Sequence, residues 1–194
     1  MTMERLLRMA APGICVALLM SQAVSAAEPE FQITPRAGQG SLRVDQSIVS
    51  IDGREPLADD RTFGVGVGFG YLTSPGIVLE IGTDSFGSFD FFDSFDSLSL
   101  DQKFASVGYQ AELGHNWRLV PRVGRAKWKL KAEEGWAFNP GPEQTQRLSG
   151  WDYYWELSLS HRISRVVALG LNYRQGDYDF GRTRSTTFLV TIGF

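Results

Sequence analysis

The stretch from Phe63 to Tyr71 reads Phe-Gly-Val-Gly-Val-Gly-Phe-Gly-Tyr, an unbroken alternation of large apolar residues with glycine. A period of two is the repeat of a β-strand, so this segment has one greasy face and one face without side chains. In a soluble sheet an all-glycine face weakens the strand. In a narrow barrel it makes room for large side chains reaching inward from neighbouring strands. The glycines do not form a phosphate-cradling loop, because their spacing is a strict two and no helix follows.

The same alternation recurs in seven other segments, with apolar residues on one face at Phe31 to Ala37, Ile77 to Ile81, Ala105 to Leu113, Leu119 to Val123, Trp151 to Leu159, Val167 to Tyr173 and Phe188 to Phe194. The opposite face of each is polar or small. The connections between them alternate in length. Short ones fall near 72–76, 114–117 and 162–165, and long ones near 40–61, 84–101, 131–150 and 175–183. All the long connections then lie on the side away from the termini, which is the arrangement of short periplasmic turns and long outer loops in a membrane barrel. The predicted fold is all-β: an eight-stranded antiparallel up-and-down transmembrane β-barrel. A soluble β-sandwich is the alternative, since it is also built from short alternating strands.

The N-terminus points to export. Arg5 and Arg8 precede an apolar run from Met9 to Met20, and the small residues Ala23-Val24-Ser25-Ala26-Ala27 follow. The run is too short to span a bilayer as a helix and has the layout of a cleaved secretory signal peptide. Residues 1–26 are therefore expected to be removed, and residues 27–194 to form the barrel domain. The single cysteine, Cys15, lies in the removed segment, so the expected mature chain has no disulfide or thiol chemistry. Without Glu4, Arg5 and Arg8 the basic and acidic residues number 17 and 21, so no net positive charge favours nucleic acid as a partner.

Three features resemble the OmpA/OmpX-type family of small outer-membrane β-barrels over essentially the whole mature chain. The first is the run 63–71 followed, after a tight turn, by an outward-apolar strand with Glu80 on its inner face. The second is Arg122-Val123-Gly124 leading to Trp128. The third is Phe188-Leu189-Val190-Thr191-Ile192-Gly193-Phe194, with Phe188, Val190, Ile192 and Phe194 on one face. The resemblance implies localisation in the outer membrane, and implies that this last segment is the signal read by the barrel-assembly machinery. It leaves the function open, because such barrels serve as anchors, adhesins, channels and enzymes.

By strand alternation the interior receives Arg36, Glu80, Glu112, Arg122, Glu156, Asn172 and Arg174. Of these, Arg36, Glu80, Arg122 and Glu156 are expected to form an ion-pair network that fills the lumen, since charges in so narrow a space must be paired. A gated pore is the other reading. The segment 84–101 interleaves Phe86, Phe89, Phe91, Phe92 and Phe95 with Asp84, Asp90, Asp93, Asp96 and Asp101. It reads as an extended outer hairpin that meets neighbouring loops or an outside partner. A cation site is its rival reading, although the spacing is not that of an EF-hand. Lys127, Lys129 and Lys131 fall on the outward face near the outer end of their strand, where they would neutralise lipopolysaccharide phosphates.

Catalysis has little support. The relevant relative is lipid A deacylase, and Leu171-Asn172-Tyr173-Arg174, the nearest equivalent of its catalytic stretch, has neither histidine nor serine. His115 and His161 fall near short turns, far from one another, and no residue pattern points to a metal or a cofactor. The expectation is a non-enzymatic outer-membrane barrel with a structural or surface-interaction role. Its expected partners are outer-membrane lipid and lipopolysaccharide, the assembly machinery, and an extracellular ligand held by the loops. The rivals are a narrow channel for small or hydrophobic solutes and, behind it, a lipid-modifying enzyme.

Overall fold

The computed structural model describes residues 30–45, 60–89, 97–133 and 145–194. The segment 1–26 lies outside the described residues. The chain forms β1 (Glu30–Val44), β2 (Asp60–Leu72), β3 (Ile77–Phe89), β4 (Ser97–Tyr109), β5 (Ala111–Gly114), β6 (Trp117–Glu133), β7 (Thr145–Arg162), β8 (Val167–Tyr178) and β9 (Gly181–Gly193). Consecutive strands pair antiparallel, except that β4 pairs with β6 rather than β5, and β1 pairs with β9 to close the ring. β4 and β5 are two parts of one wall strand, both paired to β6, so the nine segments make an eight-stranded up-and-down barrel. The break falls at Gln110, whose backbone N–H donates to the Gly76 carbonyl.

Period-two alternation assigns every side chain to lipid or lumen. Phe31, Phe63, Phe69, Ile81, Val107, Val123, Trp151 and Phe188 are exposed on the outer wall, while Gln32, Thr34, Glu80, Ser158 and Asn172 are buried inside. That is the inverse of a soluble sheet, and it fits a wall whose solvent is hydrocarbon. The glycines of β2 face the lumen and act as predicted by the barrel reading. A Cβ at Gly64 would strike the Phe86 ring, one at Gly66 the Asp84 carboxylate, and one at Gly68 the Glu80 and Arg36 side chains.

The short turns sit at the end that also holds Glu30 and Phe194. Between β5 and β6, His115 and Asn116 both have positive φ, as a two-residue hairpin turn requires. The other end departs from the sequence reading. β1 continues to Val44 and β2 starts at Asp60; β3 runs to Phe89 and β4 starts at Ser97; β6 runs to Glu133 and β7 starts at Thr145. Much of the expected loops 40–61, 84–101 and 131–150 is therefore barrel wall, and residues 46–59, 90–96 and 134–144 lie outside the described residues. The expected long loop at 175–183 is a tight turn, with Tyr178 opposite Gly181.

The physical reason is a change of phase. Beyond the outer edge of the apolar band the alternation continues, but the apolar residues move to the inside. Leu42, Val44, Phe86, Leu98, Leu100, Trp128, Leu130 and Phe180 form one buried cluster there. Polar residues such as Asp101, Lys103, Lys127 and Lys129 now face outward. Outside the membrane the surrounding solvent is water again, so the barrel reverts to the pattern of a soluble sheet.

Candidate functional site: a filled lumen and a charged outer wall

Six buried charges meet in the middle of the lumen: Arg36 from β1, Glu80 and Asp84 from β3, Arg122 from β6, Glu156 from β7 and Arg174 from β8. Glu156 is their hub. Its carboxylate lies 2.8 Å from Arg122, 2.6 Å from Arg174 and 3.4 Å from Arg36. Arg36 also pairs with Glu80 and lies 3.6 Å from Asp84; Arg174 pairs with Asp84; and Arg122 reaches Glu80 at 3.4 Å. Three guanidiniums thus face three carboxylates, so the group is neutral as a whole, which is what a region with little water demands. Guanidinium suits the place because its planar fork holds two carboxylates at once.

The surroundings complete the packing. The Arg174 guanidinium lies over the Phe104 and Tyr154 rings at 4.5 and 4.4 Å. Arg122 donates to Ser158 Oγ at 2.7 Å, and Ser158 donates in turn to Asn172 at 2.9 Å. Above the charges, Phe180 from the tight turn is fully buried against Trp128 and Tyr178, with ring centroids 4.7 and 5.3 Å away. Asp152 accepts from Trp128 Nε1 at 2.8 Å and from the Asp179 backbone N–H at 3.1 Å, which ties the turn to β7. The void bordered by Phe86, Gln102 and Arg174 measures about 10 Å³. That is at the lower limit for a single water molecule.

The structure brings together Arg36, Glu80, Arg122 and Glu156, with Arg174 beside them. It adds Asp84, which sequence reasoning had assigned to an outer loop. The signal was available: Asp84 follows Glu80 by four residues and so shares its face on a strand. Glu112 keeps its inward face, standing opposite the buried Arg118. It is exposed at the short-turn rim, 3.7 Å from Arg118 and 3.5 Å from Arg162, while the neighbouring Ala111 is buried. The pairing with β6 holds one register from Gly108 opposite Arg122 to Glu112 opposite Arg118, and Glu112 is exposed because it lies at the rim, where the barrel opens to water. His115 is exposed in its turn and His161 packs on Trp117 at 5.0 Å. Among the described residues no group of His, Cys, Asp and Glu could hold a metal ion. Of the acidic phenylalanine segment, Asp84 and Phe86 point into the barrel and Asp101 accepts from Ser85 at 2.7 Å, whereas Phe91, Phe92, Phe95, Asp90, Asp93 and Asp96 lie outside the described residues.

The outer wall carries the second charged feature. Arg125, Lys127, Lys129 and Lys131 follow one another on the outward face of β6, with Lys103 directly opposite Lys127 and Arg147 opposite Lys131. Asp101, opposite Lys129, is the acidic residue in this group. Arg125 lies over the Trp151 and Tyr153 rings at 5.2 and 5.5 Å, and Lys127 over Trp151 at 5.8 Å. Aromatic rings of this kind mark the boundary between hydrocarbon and headgroups. At the far end of the wall, Phe194, the residue after β9, exchanges backbone hydrogen bonds with Phe31, and the outward row Phe188, Val190, Ile192 leads up from it.

Solved structures similar to this one are small outer-membrane barrels. Neisserial surface protein A matches with a TM-score of 0.64 at 11% identity, over 87% of this chain and 100% of that chain. Ail, the attachment invasion locus protein of Yersinia pestis, matches with a TM-score of 0.58 at 13% identity, over 87% and 100%. The same protein in complex with the heparin analogue sucrose octasulfate matches at 0.56, with the same identity and coverage. These similarities show the fold. None of the curated proteins matches by sequence. The family model for the outer membrane protein beta-barrel domain matches residues 13–194, so the chain belongs to that family and resides in the outer membrane.

Proposed function

We propose that this protein is a non-enzymatic barrel with a structural and surface-interaction role, whose work is done by its outer wall and its outer connections rather than by its lumen. The observation that carries this reading is the filled interior: a neutral cluster of six buried charges capped by the apolar layer around Phe180 and Trp128. A channel for small or hydrophobic solutes needs a path, and beside Arg174 there is room for at most about one water. Planar-bilayer recordings of the refolded protein test it directly. The expected result is no steady conductance above the bare membrane, and a reproducible ohmic step would replace this reading with the channel.

Two partners follow from the wall. Lys127, Lys129 and Lys131 face the outer leaflet beside Trp151, where lipopolysaccharide phosphates would neutralise them. An extracellular ligand would meet the outer connections above. The row Phe188, Val190, Ile192 and Phe194 is what the barrel-assembly machinery reads on β9. Phe194→Asp should therefore reduce the amount of heat-modifiable barrel in the outer membrane several-fold, measured by gel migration without boiling. Unchanged levels would mean that this row is only a lipid contact.

A further inference from the structure

We infer that the outer wall carries a saccharide-binding site, a cavity of about 610 Å³ lined by Trp155 of β7, Gln175 and Asp177 of β8, Asp179 of the tight turn and Arg182 of β9. It uses none of the lysines of β6 and none of the ion network in the lumen. It gives the surface-interaction role a ligand class, and sugar binding here would stand even if the lumen conducted.

The lining has the two parts that a sugar requires: an aromatic face for its C–H side and planar polar groups for its hydroxyls. Trp155 stands opposite Gln175 on the wall and packs on Tyr173, with ring centroids 5.3 Å apart. Tyr173 donates its hydroxyl to Gln175 Oε1 at 3.3 Å, which orients the amide and leaves Nε2 to donate to a ligand. One outward position further along β8, Asp177 stands opposite Arg182 and accepts from its Nε at 2.5 Å. That pairing takes one carboxylate oxygen, so the other oxygen and the terminal guanidinium nitrogens are left for hydroxyls. Asp179 is exposed beyond them.

Charge and depth together select the ligand. Arg43 and Asp45 border the cavity too, each with interactions of its own, so among the described lining residues both signs are present and neither a polyanion nor a polycation is favoured. The volume is that of an ordinary small-molecule site, which runs from ~300 to ~1,000 Å³. Trp155 stands opposite Val123, the last apolar residue on the outward face of β6 before Arg125, and the cavity reaches from Trp155 to Tyr178 and Gly181 of the tight turn. Its floor therefore lies at the edge of the hydrocarbon and its upper part at the level of headgroups and water. Uncharged molecules rich in hydroxyls at that depth are sugars, carried by glycolipids of the same leaflet or by glycans of another surface.

Fluorine NMR of the refolded barrel in phospholipid nanodiscs, with fluorotryptophan in place of tryptophan, reads the site through Trp155, whose signal is the one missing from Trp155→Phe. The probes are the dephosphorylated oligosaccharide released from lipopolysaccharide, chitotriose and maltotriose as soluble outside sugars, and inorganic phosphate. The expected result is a saturable shift of the Trp155 signal with at least one sugar, while Trp117 at the other end of the barrel does not move. A response to the lipopolysaccharide sugar places the ligand in the same membrane, and a response to the soluble sugars places it outside. Asp177→Ala/Arg182→Ala should weaken that binding by roughly tenfold or more, since hydrogen bonds to two charged groups are lost. Heat-modifiable migration checks that each variant folds. No saturable shift with any of the sugars would overturn the inference and leave Trp155 as an anchor at the lipid boundary. An equal shift with phosphate, or undiminished sugar binding by the double variant, would overturn it as well.

Discussion

Replacing Glu156 by alanine should lower the stability of the folded barrel by roughly 3 to 5 kcal/mol, the usual cost of removing one member of a buried charge group. Glu156 touches all three arginines of the lumen, so its loss leaves three guanidiniums facing only Glu80 and Asp84. The surplus charge is held away from bulk water, because Arg36, Arg122 and Arg174 are all buried. A second change makes the argument specific. Arg122 is the arginine whose shortest ion pair is to Glu156, while Arg36 and Arg174 keep Glu80 and Asp84 as partners. Arg122→Met in the Glu156→Ala background should therefore recover part of the loss by restoring two pairs. Urea unfolding in lipid vesicles measures both. If Glu156→Ala leaves the midpoint unchanged, the charges are solvated and the interior is not a plug.

Gly68→Ala should be destabilising by roughly 1 to 3 kcal/mol, the range for overfilling a packed interior. Glycine-to-alanine changes in strands ordinarily help, because glycine gives up more conformational freedom on folding. At Gly68 the added methyl would meet the Glu80 carboxylate and the Arg36 guanidinium, at the heart of the ion network. Gly70, two residues along on the same face, is the control. A Cβ there meets nothing nearer than 3.5 Å, so Gly70→Ala should be neutral or slightly stabilising. The pair separates space from propensity within one strand and one face. Equal effects at the two positions would show that the glycine row is not there to make room.

The same glycines explain how much could be read from the sequence. Where the barrel is surrounded by lipid, an outward apolar residue at every second position is a sufficient rule, and it placed the strands from Phe31, Phe63, Ile77 and Trp151 without reference to contacts. The rule fails at the headgroup boundary. Beyond Val123 the outward residues of β6 are Arg125, Lys127 and Lys129, and the apolar ones are the inward Trp128 and Leu130. A reading tuned to outward apolar residues stops there and reports a loop. Asp84 falls outside the charge network on such a reading for that reason, although its spacing of four from Glu80 is that of a residue on the same strand face. The tight turn at Asp179 and Phe180 was hidden in the same way, since Tyr178 and Phe180 are apolar on the inside, where only polar residues were expected. Which charges touch was beyond the sequence altogether: it depends on the stagger of strands far apart in the chain, such as β3 and β8, which bring Asp84 to Arg174.

A lumen sealed from both ends shields its side chains from water-soluble reagents, and thiol reactivity measures that shielding. Single cysteines at Ser158, inside and below the charge network, and at Lys129, on the outer wall, would be treated with a small charged thiol reagent in the refolded barrel, with access from either side. Rapid reaction is expected at position 129 and none at position 158 until the protein is unfolded. Reaction at 158 at the rate seen at 129, in folded protein, would mean that water runs through the barrel and would contradict a sealed lumen.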